Sequence, residues 1–383
     1  MRPIYLDHNA TTPVDPEVLA AMLPFLREEF GNPSSAHPLG RRAHAAVEQA
    51  RAEVAALIGA AADEIVFTAG GTEASNLAIR GAVAAALSRR AVVTTTIEHP
   101  ATEECCRLLE AAGHPVRRVA PRADGRVDPH AVAAALADDT ALVTVIHAQN
   151  EIGTLQPVAA IATAARAAGA VVHADAAQSL GKIPVDVNAL DIDLLSIAGH
   201  KLYAPKGVGA LYIRRGLALP RLIVGAGQER GLRPGTENVA GIVGLGAACR
   251  IAARALTTSA QSMAMLSARL LADLRHHVRG LVLVGHPDER LPNTLDVLFP
   301  STTGRQLLEM CPGVMASTGS ACHAGSEQPS AVLLALGIDR EDALGAVRLS
   351  LGRATTPADV VEAAARLGAA WRLASGGAMA KAV

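Results

Sequence analysis

Six short strand-like runs, at 91–95, 116–119, 141–146, 170–173, 193–198 and 208–213, recur along the chain with helical stretches between them. Strands spaced that widely are joined by crossover helices instead of hairpins. The alternation therefore predicts an α/β fold with a mostly parallel sheet covered on both faces and ligands gathered at the carboxyl ends of its strands. A further run, 64–68, leads directly into Ala69-Gly70-Gly71-Thr72-Glu73, which opens a helix. Strand, glycines and helix start together offer N–H groups and the positive end of a dipole to a phosphate, with Thr72 as an extra donor; the same residues also read as a bare structural turn.

The residues able to do chemistry fall at strand ends. His99 follows the strand around 91–96, Asn150 follows 141–146, Asp175 follows 170–173, and His200 with Lys201 follow 193–198. Lys201 by itself reads equally as a surface lysine or as part of a weak phosphate loop. Asp175 changes that reading. A carboxylate able to face a protonated pyridine nitrogen, together with a lysine able to form a Schiff base, is the pair that pyridoxal phosphate requires.

A chain of 383 residues exceeds the size at which single cores usually stop growing, which predicts one large and one smaller unit. Half of the residues are hydrophobic and 19% are charged, as in a packed globular enzyme. The formal net charge of -1, from 35 basic and 36 acidic residues, provides no electrostatic footprint for nucleic acid or an anionic membrane. No apolar run approaches a membrane span, and Met1-Arg2-Pro3-Ile4-Tyr5-Leu6-Asp7 carries charge where a signal peptide would be apolar, so a cytoplasmic protein is expected. Five cysteines without C-x-x-C spacing argue against a disulfide framework or a zinc site.

Tyr5 to Pro13 is rich in turn formers, and Asp15-Pro16 then caps a helix. Another helix is expected over 42–58, and long helices from Asn238 up to about Arg279. Beyond them an α+β unit is predicted, with strands at 281–284, 294–299 and 347–351 and helices near 305–310, 329–336 and 357–373. Between these lies Ser317-Thr318-Gly319-Ser320-Ala321-Cys322-His323, small flexible residues around one cysteine. That setting favours an exposed thiol on a loop over a buried structural one, with a passive surface cysteine as the alternative. Cys105, Cys106 and Cys249 lie in helix-like stretches and read as packing residues.

Ten segments in order resemble the cysteine desulfurases, pyridoxal phosphate enzymes of fold type I. They include Tyr5-Leu6-Asp7, Gly31-Asn32-Pro33, Gly71-Thr72-Glu73, Glu98-His99-Pro100, Asn150-Glu151, Asp175-Ala176-Ala177-Gln178, Gly199-His200-Lys201, Gly235-Thr236-Glu237, Ala321-Cys322 and Gly352-Arg353. The resemblance implies that Lys201 carries the cofactor and that Asp175 pairs with its pyridine nitrogen. It further implies that Gln178 and Asn150 address the ring oxygen or the substrate carboxylate, and that His99 stacks on the ring and moves protons. Gly71, Thr72 and His200 would hold the phosphate, joined by Thr236 of a second subunit in a homodimer. Asn32 and Arg353 would clamp the carboxylate of L-cysteine, and Cys322 would take its sulfur as a persulfide for an acceptor or iron-sulfur scaffold protein.

The implied domains are a large cofactor-binding unit over 15–255 and a small one formed by 1–14 and 256–383. Ala198 stands where many relatives carry serine, and Gln149 where asparagine is frequent. Gly225-Ala226-Gly227-Gln228-Glu229-Arg230 and Cys322-His323 also resemble the selenocysteine lyases of the same family, which leaves L-selenocysteine as an alternative substrate. A non-catalytic sulfur carrier that has kept the fold is the rival from another class.

Overall fold

The computed structural model describes residues 2–86, 88–318 and 328–379. Among these, twelve strands and eleven helices follow in order. The first part runs β1 (Ile4–Tyr5), α1 (Pro16–Arg27), α2 (Pro38–Leu57), β2 (Ile65–Thr68), α3 (Gly71–Ala85), β3 (Ala91–Thr95), α4 (Pro100–Ala111), β4 (Val116–Val119), α5 (Pro129–Ala135) and β5 (Thr140–Ile146). The chain continues through α6 (Val158–Ala167), β6 (Val171–Asp175), β7 (Leu194–Ala198), β8 (Gly209–Ile213) and α7 (Val239–His277). It ends with β9 (Val282–Val284), β10 (Thr294–Leu298), α8 (Gly304–Glu309), β11 (Val314–Met315), α9 (Ala331–Ala335), α10 (Arg340–Leu344), β12 (Ala346–Ser350) and α11 (Pro357–Met379).

The large sheet has seven strands in the order β2-β8-β7-β6-β5-β3-β4, and only β8 runs against the rest. This is the expected fold class. Helices cover both faces, so the central strands are buried along their whole length, as β5 and β7 are. Gly209, where β8 begins, has no room for a side chain: a Cβ there would lie 2.4 Å from the Ile197 carbonyl and 2.7 Å from the Gly70 Cα. That contact pins the end of β7, which carries the residues of the site, against the loop that opens α3.

A second, antiparallel sheet has the order β12-β10-β9, and β1 pairs in parallel with β11. The β1 pairing departs from the expectation of turns over Tyr5 to Pro13. A two-residue strand is too short to show a period, yet Ile4 and Leu6 are buried in the same apolar cluster as Leu295, Val347 and Leu367. Strand β6 extends two residues beyond the expected 170–173, so Asp175 is its last residue.

The long helices expected up to Arg279 are one 39-residue helix, α7. Its first half packs Ile242, Leu245 and Ile251 into the cluster beneath the large sheet, and its second half packs Leu270 and Leu274 into the cluster of the small sheet. Alanine and glycine make α7 apolar enough to cross a membrane by length and composition, which corrects the reading that no run approaches that length. Within the fold, 61% of its most apolar window is buried. It is a core helix by packing.

Candidate active site

A cavity of about 220 Å³ opens at the carboxyl ends of β5, β6 and β7 and at the start of α3. Gly71, Thr72, His99, Asn150, Asp175, Gln178, His200 and Lys201 all line it. Each arrives for a local reason. His99 caps α4: its Nδ1 accepts from the Ala101 amide at 3.1 Å, ahead of Pro100 at the first helical position. Because Nδ1 accepts, the neutral ring carries its proton on Nε2. The 3-10 turn Gly199–Lys201, immediately after β7, presents His200 and Lys201.

Asp175 is 5% exposed and, among the described residues, receives one hydrogen bond, from the Ala177 amide at 2.9 Å. Burial holds its carboxyl above the ordinary aspartate range, against the pull of His99, that amide and Lys201. His99 is moved the other way. Burial lowers it, Asp175 opposes the change, and Lys201 adds to it. His200 is lowered to about 4, chiefly by burial and then by Lys201, Lys206 and His99, and its Nδ1 lies 3.2 Å from the Thr11 hydroxyl. Lys201 donates from Nζ to the carbonyls of Asn9 at 2.5 Å and Ala10 at 2.7 Å.

Three expected residues lie apart from this cavity. Asn32 is exposed on its loop, where its side-chain oxygen accepts from the Ser34 amide at 2.9 Å. Thr236 is exposed on the surface of the chain. Arg353 lines a separate cavity of about 20 Å³ shared with Lys201 and His8, and its guanidinium covers the Tyr203 ring at 3.7 Å. Cys322 lies outside the described residues; on either side of that segment, Ser317 donates to Asp7 at 2.9 Å and Ser330 donates to Glu151 at 2.5 Å.

The aminotransferase class-V family model matches residues 4–362. A cysteine desulfurase of Trichormus azollae is 44% identical over 362 residues, covering 94% of this chain and 90% of its own. The protein named cysteine desulfurase IscS in Anaeromyxobacter dehalogenans strain 2CP-C is 46% identical over 363 residues, covering 94% and 90%. The chain belongs to the cysteine desulfurases. Among solved structures, a NifS-like protein superposes with a TM-score of 0.90 at 37% identity, covering 96% of this chain and 98% of its own. SspA in complex with cysteine superposes with a TM-score of 0.82 at 36% identity, covering 92% and 100%. This desulfurase is accordingly a pyridoxal phosphate-dependent enzyme that takes sulfur from cysteine.

The residues present fit that cofactor. Asp175, buried with a single N–H donor, is suited to a ring N–H⁺ that would satisfy its charge. The start of the 15-residue α3 presents first-turn amides, which have no intrahelical partner, toward the same space. Gly71 keeps the approach open, since a Cβ there would meet the Ala198 methyl at 3.1 Å. Ala198 also lines the cavity, so a serine at this position would place its hydroxyl beside that cradle. Gln149, the second departure, is fully buried and organises the following loop, its side-chain oxygen accepting from the amides of Glu151 at 2.6 Å and Ile152 at 3.1 Å.

Sequence reasoning missed Asn9. Its backbone carbonyl accepts from Lys201 and from Gln178, and its side chain bonds Lys182, Asn293, Thr294 and the Asn150 carbonyl. It also missed Arg348, which lines the cavity and joins the Asn150 carbonyl to Asp7. Both sit in segments whose only local signal is turn formers or alternation.

Proposed function

We propose that the desulfurase divides its chemistry between Lys201 and Cys322. What supports this is the convergence of Asp175, Lys201 and His99 on one cavity with the start of α3. Pyridoxal phosphate, when bound, supplies an electron sink for the carbon next to the substrate amine. Lys201 Nζ would hold the cofactor and would take the proton from the substrate Cα. Asp175 would keep the ring nitrogen protonated, and His99 would stack on the ring and pass protons from Nε2. Gln178 and Asn150 address the ring oxygen and the substrate carboxylate. Thr72, His200 and the amides at Gly71 hold the phosphate.

The Cys322 thiolate then attacks the substrate sulfur. An S–S bond forms to Cys322 and the C–S bond breaks, leaving a persulfide on the enzyme and, after protonation, alanine. A sulfur-acceptor or iron-sulfur scaffold protein discharges the persulfide. Arg353, which lines a cavity with Lys201, and Asn32 clamp the cysteine carboxylate.

The working enzyme on this reading is a homodimer in which Thr236 of each subunit reaches the other's phosphate. Its exposed position fits that role. Residues 15–255 form the cofactor domain, and 1–14 with 256–383 form the small domain; the apolar cluster around Leu295, Val347 and Leu367 draws only on the latter, while the cluster beneath the large sheet also takes in Val284, Leu333 and Ala346. The cytoplasm is the proposed compartment, with Cys105, Cys106, Cys249 and Cys311 all free thiols. L-Selenocysteine is the second substrate to consider, because the 225–230 and 322–323 segments resemble the lyases that use it. Assaying alanine formation from both amino acids, with wild type and Cys322→Ala, tests the reading: loss with cysteine alone marks a desulfurase, and full activity of the variant with cysteine refutes it.

A further inference from the structure

Lys182 is a buried lysine next to the cofactor cavity that the chemistry above leaves unused. It is 6% exposed and, among the described residues, makes no ion pair. Its Nζ lies 2.7 Å from Oε1 of Gln178 and 3.0 Å from Oδ1 of Asn9. The charged groups that bear on it are themselves cationic, Lys201 and Arg348, with His8 close enough to sense it. A buried amine without a counter-charge is costly unless it has a specific task.

The hydrogen-bond chemistry indicates the task. A side-chain amide presents an acceptor on one side and two donors on the other, and its neighbours decide which way it faces. The Gln178 amide has two such neighbours: Lys182 donates to Oε1, and the Asn9 carbonyl accepts from Nε2 at 2.9 Å. Turning the amide over would set Oε1 against the Asn9 carbonyl, oxygen against oxygen. One Nε2 hydrogen is used by Asn9, and the other remains for the cavity that Gln178 lines. Lys182 likewise takes the oxygen of Asn9, so the Asn9 amide nitrogen bonds Thr294 at 2.9 Å and the Asn150 carbonyl at 3.1 Å.

We infer that Lys182 is a positioning residue: it locks Gln178 with its N–H group, not its oxygen, toward the ring oxygen of the bound cofactor. The inference rests on the reading that Gln178 addresses that oxygen. Burial and the adjoining cations push Lys182 well below the ordinary lysine range, and its Nζ donates to both of its acceptors, Gln178 and Asn9. An N–H donor favours the deprotonated ring oxygen. Without it, the cofactor's visible band titrates at higher pH.

The test is the pH midpoint of that band in purified holoenzyme for Gln178→Leu, Lys182→Met and the double variant. Gln178→Leu is expected to raise the midpoint by about one pH unit, a tenfold change. Lys182→Met is expected to raise it in the same direction and to add nothing in the Gln178→Leu background. An unmoved midpoint in Gln178→Leu overturns the reading of Gln178 and this inference with it. A shift in Gln178→Leu but none in Lys182→Met, or a Lys182→Met shift that persists in the double variant, overturns the positioning role alone. Should Lys182→Met fail to fold, Lys182→Gln retains N–H donors for Oε1 and is expected to titrate like wild type; a midpoint like that of Gln178→Leu overturns the inference.

Discussion

The guanidinium of Arg353 lies over the ring of Tyr203, its central carbon 3.7 Å from the ring centroid, while the Tyr203 hydroxyl accepts from the Arg353 backbone amide at 2.7 Å. One aromatic side chain thus holds both the charge and the backbone of the residue proposed to clamp the substrate. Tyr203→Ala removes both contacts and is expected to raise KM for cysteine about tenfold with a smaller effect on kcat, measured as alanine formation. Equal losses in both constants would assign Tyr203 to some other step.

Lys201→Ala is expected to abolish alanine formation and the covalent attachment of the cofactor. Borohydride reduction of the wild type followed by peptide mapping should place the label at 201. Label on another lysine would remove Lys201 from its proposed role.

Cys322→Ala is expected to retain the cofactor's visible absorbance, because Lys201, Asp175 and His99, the residues proposed to hold the cofactor, are unchanged. Sulfide release from cysteine with a reductant should fall to background. Selenium release from selenocysteine, measured alongside, is expected to survive better, since selenium leaves more readily.

Ala198→Ser places a hydroxyl beside Gly71, at the proposed phosphate cradle. One added hydrogen bond is worth about 1 kcal/mol, so the cofactor should be retained roughly fivefold more tightly in equilibrium dialysis. Unchanged retention would mean that the hydroxyl does not reach the phosphate.

Asp296 on β10 is fully buried, and neither carboxyl oxygen has a hydrogen-bond partner among the described residues. Burial, aided by Glu151 and opposed by Arg348 and Arg290, raises its pKa to about 8. The folded chain therefore keeps a proton here that the unfolded chain loses near the ordinary carboxylate value. Stability attributable to this group is greatest below that value and falls as pH rises toward 8, by about 1.4 kcal/mol per pH unit. Asp296→Asn should accordingly raise Tm at pH 8 and have little effect near pH 4, a difference that calorimetry at the two pH values would read.

The strand ends are legible in the sequence because parallel strands buried on both faces are written as continuous apolar runs, and the residue after each run faces the same edge of the sheet. Asp175 and Lys201 are found that way. Asn9 and Arg348 are not. Asn9 belongs to a turn whose importance comes from contacts with residues 150, 182, 201 and 294, separations that no local pattern records. Arg348 lies on β12 opposite Asp296, where two ionisable residues facing each other inside a sheet contradict the alternation that marks strands. Lys182 follows a glycine in a turn and reads as solvated until the fold closes over it.

Strand β1 pairs with β11 across some 310 positions of sequence, and the Asn9 backbone amide donates to the Ser350 hydroxyl while its carbonyl accepts from Lys201. Residues 4–9 are made long before residues 314 and 350, so part of their docking place is missing while the large lobe is synthesised. The arrival of the carboxyl-terminal third is what completes the seat of the segment that carries Asn9.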